Sequence, residues 1–488
     1  MKNFHVAIIG SGVVGSSIAW ELSKYKINVA VFEMGSDVTC GATKANSGVI
    51  HSGINSPNNS LKAKFCIDGN KMFQSLSNKM NFPLKWVGKF VIAKNQDEIK
   101  KLERLKKIGE KNKVTGLEIL EKSEVSQKEP NIKCTAALWV PKAGITLPYL
   151  FNIALAENAA INNVIFFLET EVKDIKKGKN NFLINTNKGK FQSKIVVNAS
   201  GINCRKIVSM LEDPDFQVYP CRGEYLVLDK NCNSLVNSMI YQIPNDEIGV
   251  LGIHITPTIE GNILLGPSAE FINDFYDKRN TKEMMNNLLT QAKELLPILP
   301  PNSIINAYSG IRCKLSPPEL GGWADYRIEE SKNTPGLINL LGIESPGLTA
   351  APAIAKEILK IISKKIKLIN KPHFKIHKIQ NKRFSEMSAK EQSKLIDKNP
   401  RWGRIICRCE NITEAEVINA LSNPLGAKTL SAVKYRCRAG MGRCQGGFCT
   451  QHVVRIMEEF FKIEVKDIKL KSPKSNVFYG RTREMIDE

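Results

Sequence analysis

The chain has 488 residues and a formal net charge of +22, and a chain of this length is expected to fold as two or three domains. Half of the excess charge lies between residues 360 and 404, where fourteen Lys or Arg residues stand against three Asp or Glu. Because this stretch reads as an irregular, solvated connector rather than a basic helix face, the charge does not predict nucleic-acid binding. The charge is compatible with contact with an acidic partner or with peripheral contact with an anionic membrane surface.

No uninterrupted apolar stretch reaches the roughly 18 residues that a membrane-spanning helix needs. The first predicted strand, residues 5–9, begins almost at Met1 and leads into glycines, which leaves no room for the cleavage site of a signal peptide. We therefore expect a cytoplasmic protein. The alternative is a protein attached peripherally to the inner face of the membrane. Its twelve cysteines are then expected to be thiols or metal ligands rather than disulfides.

Residues 5–33 have the pattern of a βαβ unit, with a strand, a glycine turn, a helix and a second strand. Gly10, Gly12 and Gly15 form a GxGxxG motif where the first strand ends, and Glu33 ends the next strand. The glycines allow a pyrophosphate to approach the helix N-terminus, and the Glu33 carboxylate can accept a hydrogen bond from a ribose hydroxyl. The full context predicts a dinucleotide site, and a plain glycine-rich turn is the alternative.

Periodicity predicts the elements that follow. Apolar residues at helical spacing indicate helices at 61–80, 96–111 and 147–160, and another at 348–362 after a strand at 337–342. Between residues 219 and 267 apolar and polar residues alternate, which is typical of an antiparallel sheet with one solvated face. The alternating strands are EYLVLD, GVLGIHIT and NILLGP.

The fold class is therefore α/β, with a Rossmann-like dinucleotide-binding domain that is interrupted by an antiparallel-sheet substrate domain, and with a small helical domain at the C-terminus. The predicted boundaries are 1–84, 145–215 and 330–365 for the dinucleotide-binding domain, 85–144 and 216–329 for the substrate domain, 366–403 for a basic linker, 404–462 for the helical domain and 463–488 for a tail.

Four cysteines in the helical domain have the spacing of metal ligands. Cys407 and Cys409 form a Cys-x-Cys pair, and Cys444 and Cys449 form a Cys-x4-Cys pair. Paired thiols on two loops can hold a [2Fe–2S] cluster, whereas structural zinc and a redox disulfide are the alternatives. Cys437 is a fifth thiol that could replace a ligand. The remaining cysteines have no ligand-like spacing and are interpreted as structural: Cys40, Cys66, Cys134, Cys204, Cys221, Cys232 and Cys313.

The loop GATKANSGVIHSG, residues 41–53, supplies small residues where a flat ring system must lie against the backbone. It resembles the flavin-contacting loop of the D-amino-acid-oxidase-like superfamily, as do VVNASG and LGIESPGLTAAP, and the resemblance covers residues 3–365. It implies FAD rather than NAD, with the backbone amides at the start of the last helix near the flavin. The contacts that it implies are Thr43, Ser47, Gly48, Val172, Gly342, Gly347, Leu348 and Thr349.

ANSGVIHSGINSPNNSLKAKFC, residues 45–66, is similar to L-2-hydroxyglutarate oxidases and to glycerol-3-phosphate dehydrogenases of the anaerobic large-subunit type. ICRCE and RAGMGRCQGGFC resemble the [2Fe–2S] domain of bacterioferritin-associated ferredoxin, which the second group carries at its C-terminus. The pairing of domains favours glycerol 3-phosphate as substrate and dihydroxyacetone phosphate as product. L-2-Hydroxyglutarate, an amine or amino acid of the opine or proline type, and a non-catalytic electron-transfer role are the alternatives.

Oxidation of an alcohol by hydride transfer to a flavin needs a base for the hydroxyl proton, and histidine is the usual choice. Only His51 and His254 lie in segments that the resemblance places near the flavin. Arg312 resembles the arginine that binds the substrate anion in this superfamily, with Arg222 as a weaker candidate and Lys314 as added charge for a phosphate. Electrons are expected to pass through the cluster to an acceptor protein or, through a partner subunit, to a quinone.

Overall fold

The computed structural model describes residues 1–243, 252–380 and 382–480. Within them lie twelve α-helices, and α1 to α12 in chain order are Val13–Leu22, Leu61–Met80, Gln96–Lys111, Lys122–Lys128, Pro148–Ala160, Cys204–Val208, Lys282–Leu295, Gly347–Ser363, Ala389–Lys398, Glu414–Leu421, Leu430–Cys437 and Thr450–Phe461. The strands β1 to β22 are Lys2–Ile9, Val29–Phe32, Val49–Ile50, Leu84–Lys85, Lys89–Ala93, Glu118–Glu121, Ala136–Val140, Gly144–Thr146, Ile165–Phe167, Val172–Lys177, Phe182–Thr186, Gly189–Asn198, Tyr219–Leu228, Met239–Gln242, His254–Pro257, Ile263–Gly266, Glu270–Phe271, Ile304–Lys314, Arg327–Glu330, Leu337–Leu341, Ile405–Cys407 and Ile412–Thr413.

The first sheet carries the predicted dinucleotide motif. Its parallel part has the strand order β9, β2, β1, β12, β20, and β10, β11 and β19 are added antiparallel. Helices α1 and α8 pack on it through an apolar core that includes Ile18, Leu22 and Ile354. Parallel strands with covering helices bury both sheet faces, and the carboxyl ends of β1 and β2 therefore open towards one edge.

The second sheet has nine strands, and two separate stretches of chain build it. Strands β5, β6 and β7 come from the first stretch and β13 to β18 from the second. The register is antiparallel apart from the parallel pair β5 and β14. The predicted antiparallel sheet is confirmed with that one exception, and part of the predicted strand GVLGIHIT, residues 249–251, lies outside the described residues.

The helix predictions at 61–80 and 96–111 are confirmed to the residue, because each helix has a side-chain cap at its start. The Ser60 hydroxyl accepts from the Ala63 amide and begins α2, and the Asn95 side chain accepts from the Glu98 amide and begins α3. A left-handed residue, Asn81, ends α2.

The basic connector follows the surface of the first domain instead of running free in solvent. Asn158 of α5 and Asn162, in the turn after it, pair with the backbone of the connector at His377 and Lys375 respectively. Ile379 is buried and its amide donates to the carbonyl oxygen of Met80. The connector also contains α9, a helix that the sequence interpretation did not predict. It leads into a domain whose core is built from α10, α11 and α12.

Candidate active site

A cavity of about 1350 Å³ is lined by residues of both sheets. Twelve of the residues proposed from the sequence lie on its wall: Gly10, Gly12, Glu33, Thr43, Ser47, His51, Val172, His254, Arg312, Lys314, Gly347 and Leu348. Four others, Gly15, Gly48, Gly342 and Thr349, do not line it directly. Residues that are up to hundreds of positions apart in the sequence therefore line the same cavity.

One end of the cavity is formed where β1 meets α1. Gly10 has a φ of +100°, and a Cβ there would lie 2.6 Å from the carbonyl oxygen of Ala199. A Cβ on Gly15 would lie 2.1 Å from the carbonyl oxygen of Gly10, which shows how closely the helix approaches the strand. The Glu33 carboxylate accepts from the Ser11 and Gly35 amides and stays on the cavity wall. This end has the backbone approach and the acidic acceptor that a dinucleotide requires.

His51 lies at the other end, in the loop that follows β3. Its backbone amide donates to the Thr349 hydroxyl at 2.9 Å, which ties the loop to the first turn of α8. The ring Nε2 lies 3.4 Å from the Ser345 hydroxyl. Burial, followed by the charge of Lys89, lowers the pKa of His51 to about 3, so the imidazole is neutral at physiological pH and can accept a proton.

His254, in β15, stacks on Tyr241 of the neighbouring strand β14. The two ring centroids are 4.0 Å apart and the planes differ by 8°. With its proton on Nδ1, His254 donates to the carbonyl oxygen of Gly252 at 3.1 Å, which leaves Nε2 as an acceptor. Burial lowers the pKa of His254 as well, with further lowering from His51, Lys89 and Arg312. Both imidazoles are therefore held in the neutral form, beside positive charges.

Arg312 projects from β18 onto the cavity wall. Both terminal nitrogens donate to the carbonyl oxygen of Ser268 at 3.1 Å, and within the described residues no carboxylate lies within ion-pair distance of the guanidinium. The interpretation of this residue as a surface arginine paired with a neighbouring acid is therefore not supported. A half-buried guanidinium without a counter-ion is suited to binding the anionic group of a small molecule.

Arg222, the weaker arginine candidate, has a different role. It is buried and contacts Glu270 at 2.6 Å, Asp277 at 2.8 Å and Glu224 at 3.5 Å. Three carboxylates already compensate its charge, so it is not available for a substrate anion. The sequence-based suggestion that Arg222 binds substrate is wrong for this reason.

The sequence interpretation missed a charged network beside Arg312. Lys62, at the start of α2, contacts the Glu344 carboxylate at 2.8 Å, and Lys314 contacts it at 3.4 Å. Although burial opposes the shift, the two ammonium groups lower the pKa of Glu344. All three side chains line the cavity, and with Arg312 they give this end a net positive charge. Lys62 is 282 residues from Glu344, so local pattern could not reveal the pair.

The four proposed cluster ligands lie together. The Sγ atoms of Cys407 and Cys409 are 3.8 Å apart, and those of Cys409 and Cys444 are 3.7 Å apart. Cys407 and Cys449 are buried and Cys409 and Cys444 are exposed. Cys437 donates its thiol proton to the carbonyl oxygen of Val433. The thiol contacts run from Cys449 through Cys407 and Cys409 to Cys444, and these four residues are called the cysteine row below.

The cysteine domain is docked onto the first domain, with its own residues on the cavity wall. The Arg436 guanidinium, on α11, contacts Asp37 at 2.5 Å and Glu157 at 2.9 Å, and all three side chains are buried. The Tyr149 hydroxyl lies 3.7 Å from the sulfur of Met441. The cavity wall includes Lys434, Tyr435, Arg438, Met441 and Gln445 of this domain, and Met441 and Gln445 flank the cysteine loop.

Replacing Arg436 by methionine should release the cysteine domain, because Asp37 and Glu157 would remain buried without a counter-ion. Breaking a buried ion pair costs about 3 kcal/mol or more, and amide hydrogen exchange in α11 should accelerate by roughly a hundredfold. The matched control is Arg455→Met, because Arg455 is exposed and pairs only with Glu459 one turn away. Equal protection of α11 in both variants would contradict the expectation.

Comparison with known proteins identifies the fold. A family model described as "FAD dependent oxidoreductase" matches residues 5–361. The chain belongs to this FAD-dependent oxidoreductase family. A second model, described as "BFD-like [2Fe-2S] binding domain", matches residues 405–459 and identifies the cysteine domain of this oxidoreductase.

Three relatives of this FAD-dependent oxidoreductase give more detail. A glycerol 3-phosphate dehydrogenase from Caloramator mitchellensis is 41% identical over 99% of this chain and 100% of its own length. A mitochondrial L-2-hydroxyglutarate dehydrogenase from Arabidopsis thaliana is 32% identical over 72% of this chain and 82% of its own. The solved structure of an L-alpha-glycerophosphate oxidase from Mycoplasma pneumoniae with FAD bound has a TM-score of 0.73 and 30% identity, covering 77% of this chain and 98% of that one.

The residues of the cavity fit FAD. The glycines at the start of α1 are packed so closely that side chains are excluded, and the Glu33 carboxylate keeps acceptor capacity beyond its hydrogen bonds to amides. The α8 N-terminus lines the same space at Gly347 and Leu348, and the positive end of this helix favours an electron-rich ring edge.

The cysteine row fits a [2Fe–2S] cluster, in which two irons share four thiolates. The Sγ atoms of Cys407 and Cys409 are 3.8 Å apart, and the contact of 3.7 Å between Cys409 and Cys444 brings the Cys-x-Cys and Cys-x4-Cys pairs together.

The described helices include none that is long and apolar enough to cross a membrane.

Proposed function

We propose that this FAD-dependent oxidoreductase oxidises sn-glycerol 3-phosphate to dihydroxyacetone phosphate and passes the electrons through its [2Fe–2S] cluster to an external acceptor. The observation that carries the proposal is the Arg312 guanidinium, which has no carboxylate at ion-pair distance among the described residues and lies beside two neutral histidines in one cavity. The similarity to a glycerol 3-phosphate dehydrogenase along the whole chain supports the choice of substrate.

In this proposal the charged residues bind the substrate anion and the neutral histidines act on the hydroxyl group. Arg312 binds the phosphate, and the positive network of Lys62 and Lys314 strengthens the local potential. His51 accepts the hydroxyl proton on Nε2, with Ser345 near that nitrogen, and neutral His254 completes the polar wall. Bound FAD supplies the hydride acceptor, and the cluster supplies a one-electron carrier between FAD and the acceptor.

L-2-Hydroxyglutarate is the second candidate substrate, because a relative that is 32% identical acts on it by name and because Arg312 would bind a carboxylate equally well. An amine substrate would not require the histidine pair. Anaerobic mixing of the purified protein with glycerol 3-phosphate, L-2-hydroxyglutarate or proline separates the cases, since only the substrate bleaches the flavin absorbance. Bleaching by proline alone, or by none of the three, would overturn the proposal.

The electron acceptor is proposed to be a protein, with a quinone reached through a partner subunit as the other possibility. The exposed Cys409 and Cys444 place one edge of the cysteine row at the surface, where a redox partner can approach. Peripheral contact with a membrane would be expected only if the electrons pass to a quinone through a partner subunit.

Ionic strength should affect substrate capture, because seven lysines of the described residues line the cavity: Lys44, Lys62, Lys206, Lys278, Lys314, Lys434 and Lys471. Burial and neighbouring positive charges lower the pKa of Lys278 and of Lys434. Electrostatic steering of an anion weakens as salt screens it, so kcat/KM should fall about five- to tenfold between about 20 and about 300 mM NaCl with kcat unchanged.

The matched pair for this measurement is Lys278→Met and Lys332→Met, since Lys332 is exposed and does not line the cavity. We expect the salt dependence to shrink only in Lys278→Met. A kcat/KM that does not change with salt in the unmodified protein would rule out steering.

A further inference from the structure

A second, smaller cavity of about 40 Å³ adjoins His51. It shares five residues with the large cavity, namely His51, Asn55, Ser56, Ser345 and Pro346, whereas Lys89, Cys66 and Ser52 line only the small one. A polar space of this size has room for a water molecule if two to four polar groups can bind it. The small cavity therefore differs from the apolar voids of a protein core.

Lys89 is an unusual residue to find at this position. It begins β5, is 2% exposed, and its side chain has no hydrogen bond or ion pair within the described residues. Its Nζ lies 4.6 Å from the ring centroid of Tyr241, which stacks on His254. An unpaired buried ammonium is costly, so a structural role alone does not account for it.

Ser52 supplies a second unpartnered group on the same wall. Its hydroxyl is buried and has no hydrogen-bond partner within the described residues. The small cavity is thus lined by three residues with polar side chains that could bind one molecule: Lys89, Ser52 and His51. These are the partners that a bound water molecule requires.

We propose that the small cavity is a proton-transfer site, in which a water molecule held by Lys89 and Ser52 carries the substrate's hydroxyl proton from His51 to the amine of Lys89. This inference rests on the proposed function, because it requires an alcohol that loses a proton as its hydride leaves. The O–H bond breaks and an N–H bond forms on His51. That proton then moves through the water, so His51 returns to neutral and Lys89 becomes an ammonium.

The surroundings of Lys89 are consistent with this role. Burial lowers its pKa from 10.5 to about 8, and Cys66 on α2 opposes the shift slightly. The other titratable groups that face the site are His51, Tyr241, His254 and, beyond the histidines, Arg312. Because the pKa is lowered, the free amine that accepts a proton is present above pH 8 and is lost as the pH falls below it.

Single-turnover flavin reduction by saturating glycerol 3-phosphate, followed from about pH 7 to about pH 9.5, tests the proposal. The unmodified protein should react about tenfold faster at the upper end, since each pH unit below the pKa reduces the free amine tenfold. Lys89→Met should lose this rise and the solvent deuterium isotope effect. Lys89→Arg, whose guanidinium stays protonated, should behave like Lys89→Met rather than like the unmodified protein.

Two further variants keep the outcome interpretable. Lys85→Met, at an exposed position of β4, is the matched control and should retain the rise. Ser52→Ala should slow flavin reduction and reduce the isotope effect even if Lys89→Met fails to bind FAD. The inference is overturned if Lys89→Met keeps the full rise, if Ser52→Ala reduces the flavin at the unmodified rate with the full isotope effect, or if Lys89→Arg matches the unmodified protein. No flavin reduction in the unmodified protein would overturn the proposed function instead.

Discussion

Arg312→Ala should lower kcat/KM for glycerol 3-phosphate by about a thousandfold, with most of the loss in KM. The guanidinium has no carboxylate partner among the described residues, so the substrate anion is the group that compensates its charge. Removing one partner of a buried, hydrogen-bonded charge pair costs about 2 to 5 kcal/mol, and about 4 kcal/mol corresponds to a thousandfold. Steady-state and single-turnover kinetics together separate the change in binding from the change in chemistry.

The control for this prediction is Arg104→Ala, because Arg104 is exposed on α3 and does not line the cavity. Arg312→Lys should recover part of the loss, since an ammonium keeps the charge and lacks the two-pronged geometry. A KM in Arg312→Ala within about threefold of the unmodified value would remove Arg312 from the substrate site.

Cys409→Ser should block the exit of electrons while leaving the oxidation of substrate intact. Cys409 contacts both Cys407 and Cys444 in the cysteine row, so its loss removes one of the four proposed cluster ligands. Turnover with a one-electron acceptor should fall by at least about a hundredfold, whereas anaerobic bleaching of the flavin by glycerol 3-phosphate should proceed at the unmodified rate.

Cys437→Ser is the matched control for Cys409→Ser, because the Cys437 thiol bonds to a backbone carbonyl within its own helix. It should keep its iron content and its turnover. If Cys409→Ser retains full turnover with a one-electron acceptor, or if Cys437→Ser loses iron equally, the assignment of ligands is contradicted.

The sequence predicted the parts of the fold that depend on local pattern. The βαβ unit, the bounds of α2 and α3 and the alternating strands are encoded by neighbouring residues, and the structure confirms them. Arg222 and Arg312 show what local sequence pattern cannot predict, namely which of two arginines faces the cavity. Arg312 pairs across from Cys221, and Arg222 pairs across from Ile311, so the two arginines lie on opposite faces of the same sheet. Only the register decides which one lines the cavity.

Features that join distant segments could not be predicted. Lys62 and Glu344, or Arg436 with Asp37 and Glu157, meet only after the chain has folded. The docked connector depends on the side-chain amides of Asn158 and Asn162, which have no pattern in the sequence. Lys89 has an ordinary strand position in the sequence, and its burial beside two histidines appears only in three dimensions.

The most direct test of the central claim is anaerobic rapid mixing with sn-glycerol 3-phosphate, followed by flavin absorbance and by electron paramagnetic resonance of frozen samples. The account predicts that the flavin bleaches first and that the signal of a reduced [2Fe–2S] cluster then appears in the same molecules. Failure of the flavin to bleach, or a bleached flavin with a cluster that stays oxidised, would contradict it.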